Sequence, residues 1–227
     1  MEFLLDTANI EAIKTYSEII PISGVTSNPS IVKKEGKIDF FQHMKQIREI
    51  IGSDKSLHVQ VVAQDFQGMI KDAETILEQI DTEVYIKVPV TTEGLKVIQE
   101  LKKRNVHVTA TAIYTKFQAY LAIEAGSDYI APYFNRMENL NINATEAIRD
   151  IQHEIDRTGS STKILAASFK NISQVNAAIA TGAEAVTFGT DIVEQGFAMP
   201  SIEKAVKDFT ADWESIFGVD STVYSLN

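Results

Sequence analysis

The chain has 227 residues, enough for one large core and within the range of one or two domains. Lysine and arginine total 21 against 31 aspartates and glutamates, a net charge of −10 that argues against nucleic acid or an anionic membrane as the main partner. A small anionic substrate stays possible, since it needs only a local cationic pocket.

There is no cysteine, so disulfides and thiolate chemistry are excluded and a reducing cytoplasm is the expected setting. Met1-Glu2-Phe3-Leu4-Leu5-Asp6 has no basic region leading into an apolar stretch, so no signal peptide is expected. No apolar run approaches the roughly 18 residues of a membrane helix.

Short β-rich runs alternate with longer segments of helical period. Strands are predicted near 2–6, 22–27, 57–63, 83–89, 106–111, 128–133, 163–168 and 184–188. Helices are predicted near 9–20, 39–51, 66–80, 92–104, 115–125, 142–157, 172–181 and 190–197, with a last amphipathic helix near 201–217. Asp39, Thr91 and Ser173 lie at or near helix starts, and Gly126 and Gly182 stand where helix-ending glycines belong. Met137 to Asn143 reads as an exposed loop. Eight strand–helix units without a linker predict a single α/β domain over 1–227, a (β/α)8 TIM barrel with an additional C-terminal helix. The competing open doubly wound sheet usually carries a glycine-rich turn after its first strand. Asp6-Thr7-Ala8-Asn9 has no glycine.

In such a barrel the active site forms at the C-terminal ends of the strands. Polar residues gather there: Asp6, Thr26 with Asn28, Gln60, Lys87, Thr111, Tyr133 with Arg136, and Ser168. Lys87 stands out, because burial disfavours its charged form and leaves a neutral amine able to attack a carbonyl. Val84, Ile86 and Val88 share one strand face, and Tyr85 and Lys87 the other. Parity tests whether the polar residues can meet. Val59 and Val61 oppose Gln60; Val108 and Ala110 oppose Thr111; Ile130 and Pro132 oppose Tyr133; Leu165 and Ala167 oppose Ser168. Each polar residue is therefore expected to point into the barrel mouth.

Each residue also has a plainer reading. A strand lysine can sit on an edge, facing water. Asp6 and Thr26 can cap nearby backbone. Gln60 can be a satisfied core amide, Tyr133 an aromatic with a wet hydroxyl, Arg136 a surface arginine, and Ser168 merely small. His43, His58, His107 and His153 form no short ligand cluster, so no metal is expected; His58 and His107 are expected to line the lower barrel.

The segments Gly24-Val25-Thr26-Ser27-Asn28-Pro29-Ser30, Ile86-Lys87-Val88-Pro89-Val90-Thr91, Ala131-Pro132-Tyr133-Phe134-Asn135-Arg136 and Ala166-Ala167-Ser168-Phe169-Lys170 resemble the small transaldolase family, in the branch that contains fructose-6-phosphate aldolases. The resemblance spans about residues 1–217. It implies that Lys87 is a Schiff-base lysine. Gln60, where transaldolases of the family carry glutamate, and Tyr133, where they carry phenylalanine, resemble the aldolase branch. Glutamine can orient a water but not shuttle its proton, and a tyrosine hydroxyl can supply that function. The loop Met137-Glu138-Asn139-Leu140-Asn141 lacks the family's usual glycines, and Phe188-Gly189-Thr190-Asp191 departs from its proline-containing element.

The resemblance implies a class I aldolase with no cofactor, acting on fructose 6-phosphate and releasing dihydroxyacetone and glyceraldehyde 3-phosphate. Transaldolase is the alternative, and a non-catalytic sugar-phosphate-binding barrel a third reading. Tyr133, with a water held by Gln60 and Thr111, is expected to move protons. Asp6, Thr26 and Asn28 are expected to hold the donor hydroxyls and orient Lys87, and Arg136 and Ser168 to bind phosphate. The expected partners are a small sugar phosphate and dihydroxyacetone, with no nucleic acid and no membrane. A homo-oligomer, a pentamer or decamer by resemblance, is expected, with the 201–217 helix at a subunit interface.

Overall fold

A computed structural model describes residues 1–226 and divides the chain into two compact units, residues 1–190 and 191 onward. The first unit holds eight strands: β1 (Glu2–Asp6), β2 (Gly24–Thr26), β3 (Ser56–Gln60), β4 (Tyr85–Pro89), β5 (Val108–Ile113), β6 (Tyr129–Pro132), β7 (Lys163–Ala166) and β8 (Ala185–Phe188). All pair in parallel, each with its sequence neighbour, and β8 closes on β1. The expected (β/α)8 barrel is the fold observed.

The helices of this unit are α1 (Ile10–Ile19), α2 (Pro29–Val32), α3 (Phe40–Ile51), α4 (Phe66–Gln79), α5 (Thr92–Lys103), α6 (Lys116–Glu124), α7 (Phe134–Asn139), α8 (Ala144–Thr158) and α9 (Ile172–Ala180). Side-chain caps satisfy first-turn N–H groups in each of these except α7. Asp39 accepts from the Gln42 amide and Thr91 from the Gly94 amide. The cap of α9 is Asn171, two residues before Ser173. Gly126 and Gly182 follow α6 and α9 with φ of +84° and +121°, where a side chain would be strained.

Strand alternation builds two apolar layers. Ile86, Val88, Val108, Ala110 and Ile130 are buried, and their parity directs them outward, against the helices. Inside, Leu4, Tyr129, Leu165 and Ala185 form a cluster on which Tyr85 packs. His58 stacks on Tyr85 at 4.7 Å and meets Tyr129 edge-on at 5.4 Å. His107 stacks on the other side of Tyr85 at 4.7 Å. Burial, then the nearby Lys87, holds the His58 imidazole well below its usual range, so the ring is neutral. Its two nitrogens bond the Thr109 and Ser56 hydroxyls at 2.8 and 2.9 Å.

Four expectations need correction. Leu165 belongs to the interior cluster, so the face of β7 assigned to the helices is the inward one. Ser168 departs from strand alternation, because it adopts a left-handed φ of +64° beyond the end of β7. The loop expected over Met137 to Asn143 holds only from Leu140 onward, because Met137 to Asn139 belong to α7, in which Phe134 and Met137 are buried. β3 also ends before 63, because the Asp72 carboxylate takes the Val62 and Ala63 amides at 2.7 and 2.8 Å.

The second unit contains α11 (Pro200–Phe217), preceded by α10 (Thr190–Phe197), which begins at the last residue of the first unit. Trp213 and Phe217 contact each other at 4.5 Å, yet no residue of α11 is buried, and Phe209 and Ile216 are 71% and 74% exposed. No helix among the described residues is long and apolar enough to cross a membrane.

Candidate active site

Lys87 lies on β4 between Gln60 of β3 and Thr109 of β5 in the strand register. It is only 4% exposed. Its Nζ donates to the Ser27 carbonyl at 2.7 Å. Burial lowers its basicity; the nearby Asp6 opposes that effect without cancelling it. The edge-strand reading is thereby removed. The Ser27 carbonyl had no signature in the sequence, because it is a backbone group.

Asp6 and Thr26 do not cap backbone. The Thr26 hydroxyl donates to Asp6 Oδ1 at 2.6 Å and lies 2.7 Å from the Thr187 hydroxyl on β8. Thr26 has one proton, and the carboxylate takes it. Thr187 must therefore donate to Thr26, giving a one-way chain Thr187 to Thr26 to Asp6. Thr187 escaped sequence reasoning because a threonine between Val186 and Phe188 is an ordinary strand residue. Asn28 is itself a cap: its Oδ1 accepts from the Ser30 and Ile31 amides at 2.9 and 3.1 Å, leaving its Nδ2 for other partners.

Tyr133 follows β6, and its hydroxyl lies 3.1 Å from that of Thr111. Burial raises the phenol above its usual range, so it carries its proton at neutral pH. Gln60 contributes a buried Oε1 with no hydrogen-bond partner among the described residues. A buried carbonyl oxygen without a partner is an acceptor in waiting.

Arg136 projects from α7. Its guanidinium lies 5.7 Å from the centre of the Tyr133 ring and donates to the Tyr114 hydroxyl at 3.3 Å. With Tyr114, Asn135, Asn139, Leu140, Ser168 and Lys170 it lines a cavity of about 440 Å³. Lys170 brings a second cation that sequence reasoning left out of the site. Arg136 and Ser168 thus share a cavity, although Ser168 arrives by a backbone kink rather than by strand parity. A second cavity, about 320 Å³, opens at the opposite end of the barrel beside Glu2, Tyr85, His107 and Tyr129. Its Glu2 carboxylate is already held by the Tyr129 hydroxyl and the Lys163 ammonium, at 2.6 and 2.5 Å.

A closed (β/α)8 barrel with a desolvated lysine amine at the mouth, a phenol nearby and a cationic cavity on the rim defines a class of carbonyl-handling barrels. Comparison with known proteins narrows it. Residues 3–223 match the family model described as transaldolase/fructose-6-phosphate aldolase, and the chain belongs to that family. A probable fructose-6-phosphate aldolase of Streptococcus pneumoniae (strain ATCC 700669 / Spain 23F-1) is 60% identical over 213 residues, covering 94% of this chain and 96% of the relative.

Proposed function

We propose that this protein is a class I aldolase that reversibly cleaves fructose 6-phosphate to dihydroxyacetone and glyceraldehyde 3-phosphate. The observation that carries this reading is the Lys87 amine: buried, biased toward its neutral form, held by the Ser27 carbonyl, and on the strand next to that of Thr111, whose hydroxyl meets that of Tyr133. Family membership and the similarity to the pneumococcal relative support the same choice.

Neutral Lys87 attacks the C2 ketone, and loss of water gives an iminium. The 4-hydroxyl gives up its proton, the C3–C4 bond breaks, and its electron pair moves toward the iminium. Glyceraldehyde 3-phosphate leaves, and the enamine of dihydroxyacetone stays on Lys87. Protonation at C3 and hydrolysis release dihydroxyacetone and restore the amine. Tyr133 gives and takes these protons through a water held by Thr111 and the free Gln60 acceptor. Asp6, fixed by Thr26, and the Asn28 amide hold the donor hydroxyls. Arg136, Ser168 and Lys170 bind the phosphate, with Arg136 offering a fork of donors.

Gln60 and Tyr133 favour aldol cleavage over transaldolase transfer, because they protonate and release the enamine rather than conserve it. Cytoplasmic operation is part of this proposal, and the cysteine-free composition suits it. So is a homo-oligomer assembled through α11, whose apolar side chains are too exposed for a solitary helix in water.

Borohydride trapping with dihydroxyacetone and with fructose 6-phosphate, followed by peptide mapping, tests the mechanism. A reduced adduct on Lys87, lost in Lys87→Met, is expected; no adduct on folded protein would remove the Schiff-base route. Transfer to erythrose 4-phosphate that outpaces cleavage would favour transaldolase instead.

A further inference from the structure

The Arg136 cavity is lined by three chain segments: Tyr114 from the turn after β5, and two that meet across the βα units of β6 and β7. Arg136 and Asn135 come from α7; Ser168 and Lys170 come from the loop between β7 and α9. Backbone bonds begin the junction, with the Phe134 amide donating to the Ala167 carbonyl at 2.9 Å and the Asn135 amide to the Ser168 carbonyl at 3.0 Å. One side chain completes it. Gln174, in the first turn of α9, accepts from the Lys170 amide through Oε1 at 2.7 Å. Its Nε2 donates to Asn135 Oδ1 at 3.1 Å and to Glu138 Oε2 at 2.5 Å.

Each of these contacts bears on Arg136. Asn135 and Glu138 flank it on α7, and the Lys170 amide belongs to the opposite wall. The Gln174 side chain is nearly buried, and its own amide is held by the Asn171 cap at 3.0 Å, so the clamp has a fixed base. Gln118 on α6 accepts from the Tyr114 amide at 3.0 Å in the same four-residue spacing, but its Nε2 reaches the backbone carbonyls of Val90 and Ala112. Gln174 reaches side chains beside the cavity cation instead. It also engages the Glu138 carboxylate, a negative charge two residues from Arg136 that would oppose a phosphate if it turned the other way.

We infer that Gln174 is a positioning residue for the phosphate end of the substrate: it fixes the spacing of Arg136 from Ser168 and Lys170 and restrains the Glu138 carboxylate. The inference rests on the reading of this cavity as the phosphate site. It concerns acceptor selectivity and leaves Lys87 chemistry to the barrel mouth.

The test uses the full-length protein and three variants: Gln174→Leu, Gln174→Glu, and Gln174→Glu combined with Glu138→Gln. The double variant exchanges donor and acceptor across the same contact, while the Lys170 amide keeps its acceptor and the Asn135 amide can turn to donate. Inorganic phosphate binding is measured by calorimetry, and KM and kcat are compared for glyceraldehyde 3-phosphate and unphosphorylated glyceraldehyde. Gln174→Leu and Gln174→Glu should each weaken phosphate binding by about tenfold or more, the size of a misaligned charge-assisted hydrogen bond. KM for the phosphorylated acceptor should rise in parallel and kcat much less. The double variant should recover most of the loss, since interacting residues are not additive.

Phosphate affinity unchanged in Gln174→Leu, or equal losses for both acceptors, would overturn the inference. If Gln174→Leu does not fold, the exchange decides, and failure of the double variant to improve on Gln174→Glu overturns it. Borohydride trapping of wild type with dihydroxyacetone separates the two readings. A missing adduct with intact phosphate effects would remove the aldolase mechanism and leave the clamp standing.

Discussion

At the scale of residues, the cost of burying Lys87 leads to a stability prediction. Its folded-state basicity is depressed, so the unfolded chain binds more protons as pH approaches the ordinary lysine range. Wild-type stability should therefore rise with pH between the lowered folded value and the ordinary lysine value of 10.5. Lys87→Met removes the charge and should melt higher than wild type at pH 7, with the gap narrowing toward pH 10; thermal melts across that range check it. A variant less stable at every pH would show that the amine is better solvated than its burial implies. Tyr133→Phe should lower cleavage by about 10²–10⁴-fold, the usual contribution of a positioned acid–base group, with the Lys87 adduct still trapped. Thr187→Val removes the donor that begins the chain to Asp6. A loss of about three- to tenfold in kcat/KM, recovered by Thr187→Ser, is expected of one hydrogen bond between neutral hydroxyls; an equal loss in both variants would point to packing.

At the scale of elements, the placement of β4 depends on Gly94. An added Cβ there would lie 1.9 Å from the Pro89 carbonyl oxygen, two residues past Lys87. Gly94→Ala should displace α5 from the end of the strand and cost about 1–3 kcal/mol, read from denaturant unfolding. Unchanged stability would mean that α5 shifts freely. The elements also explain what could be read in advance. Period-two alternation made the inward set on β3 to β6 legible, because a buried strand leaves no other pattern. It failed on β7, where the left-handed Ser168 breaks the count and reverses the inferred faces. α7 was missed because its six residues offer just Phe134 and Met137 as an apolar face, too few for a helical period. The Ser27 carbonyl, Thr187 and Gln174 share another kind of invisibility. Their roles arise from contacts between distant segments, and each residue is locally ordinary.

At the scale of the whole molecule, the chain joins a barrel unit to a helical unit with an apolar, exposed α11. Val206, Phe209, Ile216 and Phe217 are all exposed, which favours burial against another copy. Sedimentation should find an assembly larger than a monomer, and removal of residues 200–227 should shift it to smaller species. A monomeric full-length protein would end that proposal. The chain carries a net charge of −10, yet the cavity proposed for the phosphate holds Arg136 and Lys170, so added salt should weaken capture of a phosphorylated acceptor more than that of a neutral one.

The aromatic packing beneath Lys87 has a kinetic consequence. His58, Tyr85 and Tyr129, with Leu4 and Leu165, seal the barrel below the amine, so the reaction chamber is a blind cup with one doorway. On the proposed mechanism the departing aldehyde stands between the doorway and the fragment bonded to Lys87. It must clear the exit before dihydroxyacetone can follow, and in synthesis dihydroxyacetone must enter first. Traffic is therefore last in, first out, and product inhibition should record it: dihydroxyacetone competing directly with the ketose phosphate, and the aldehyde inhibiting in a mixed pattern.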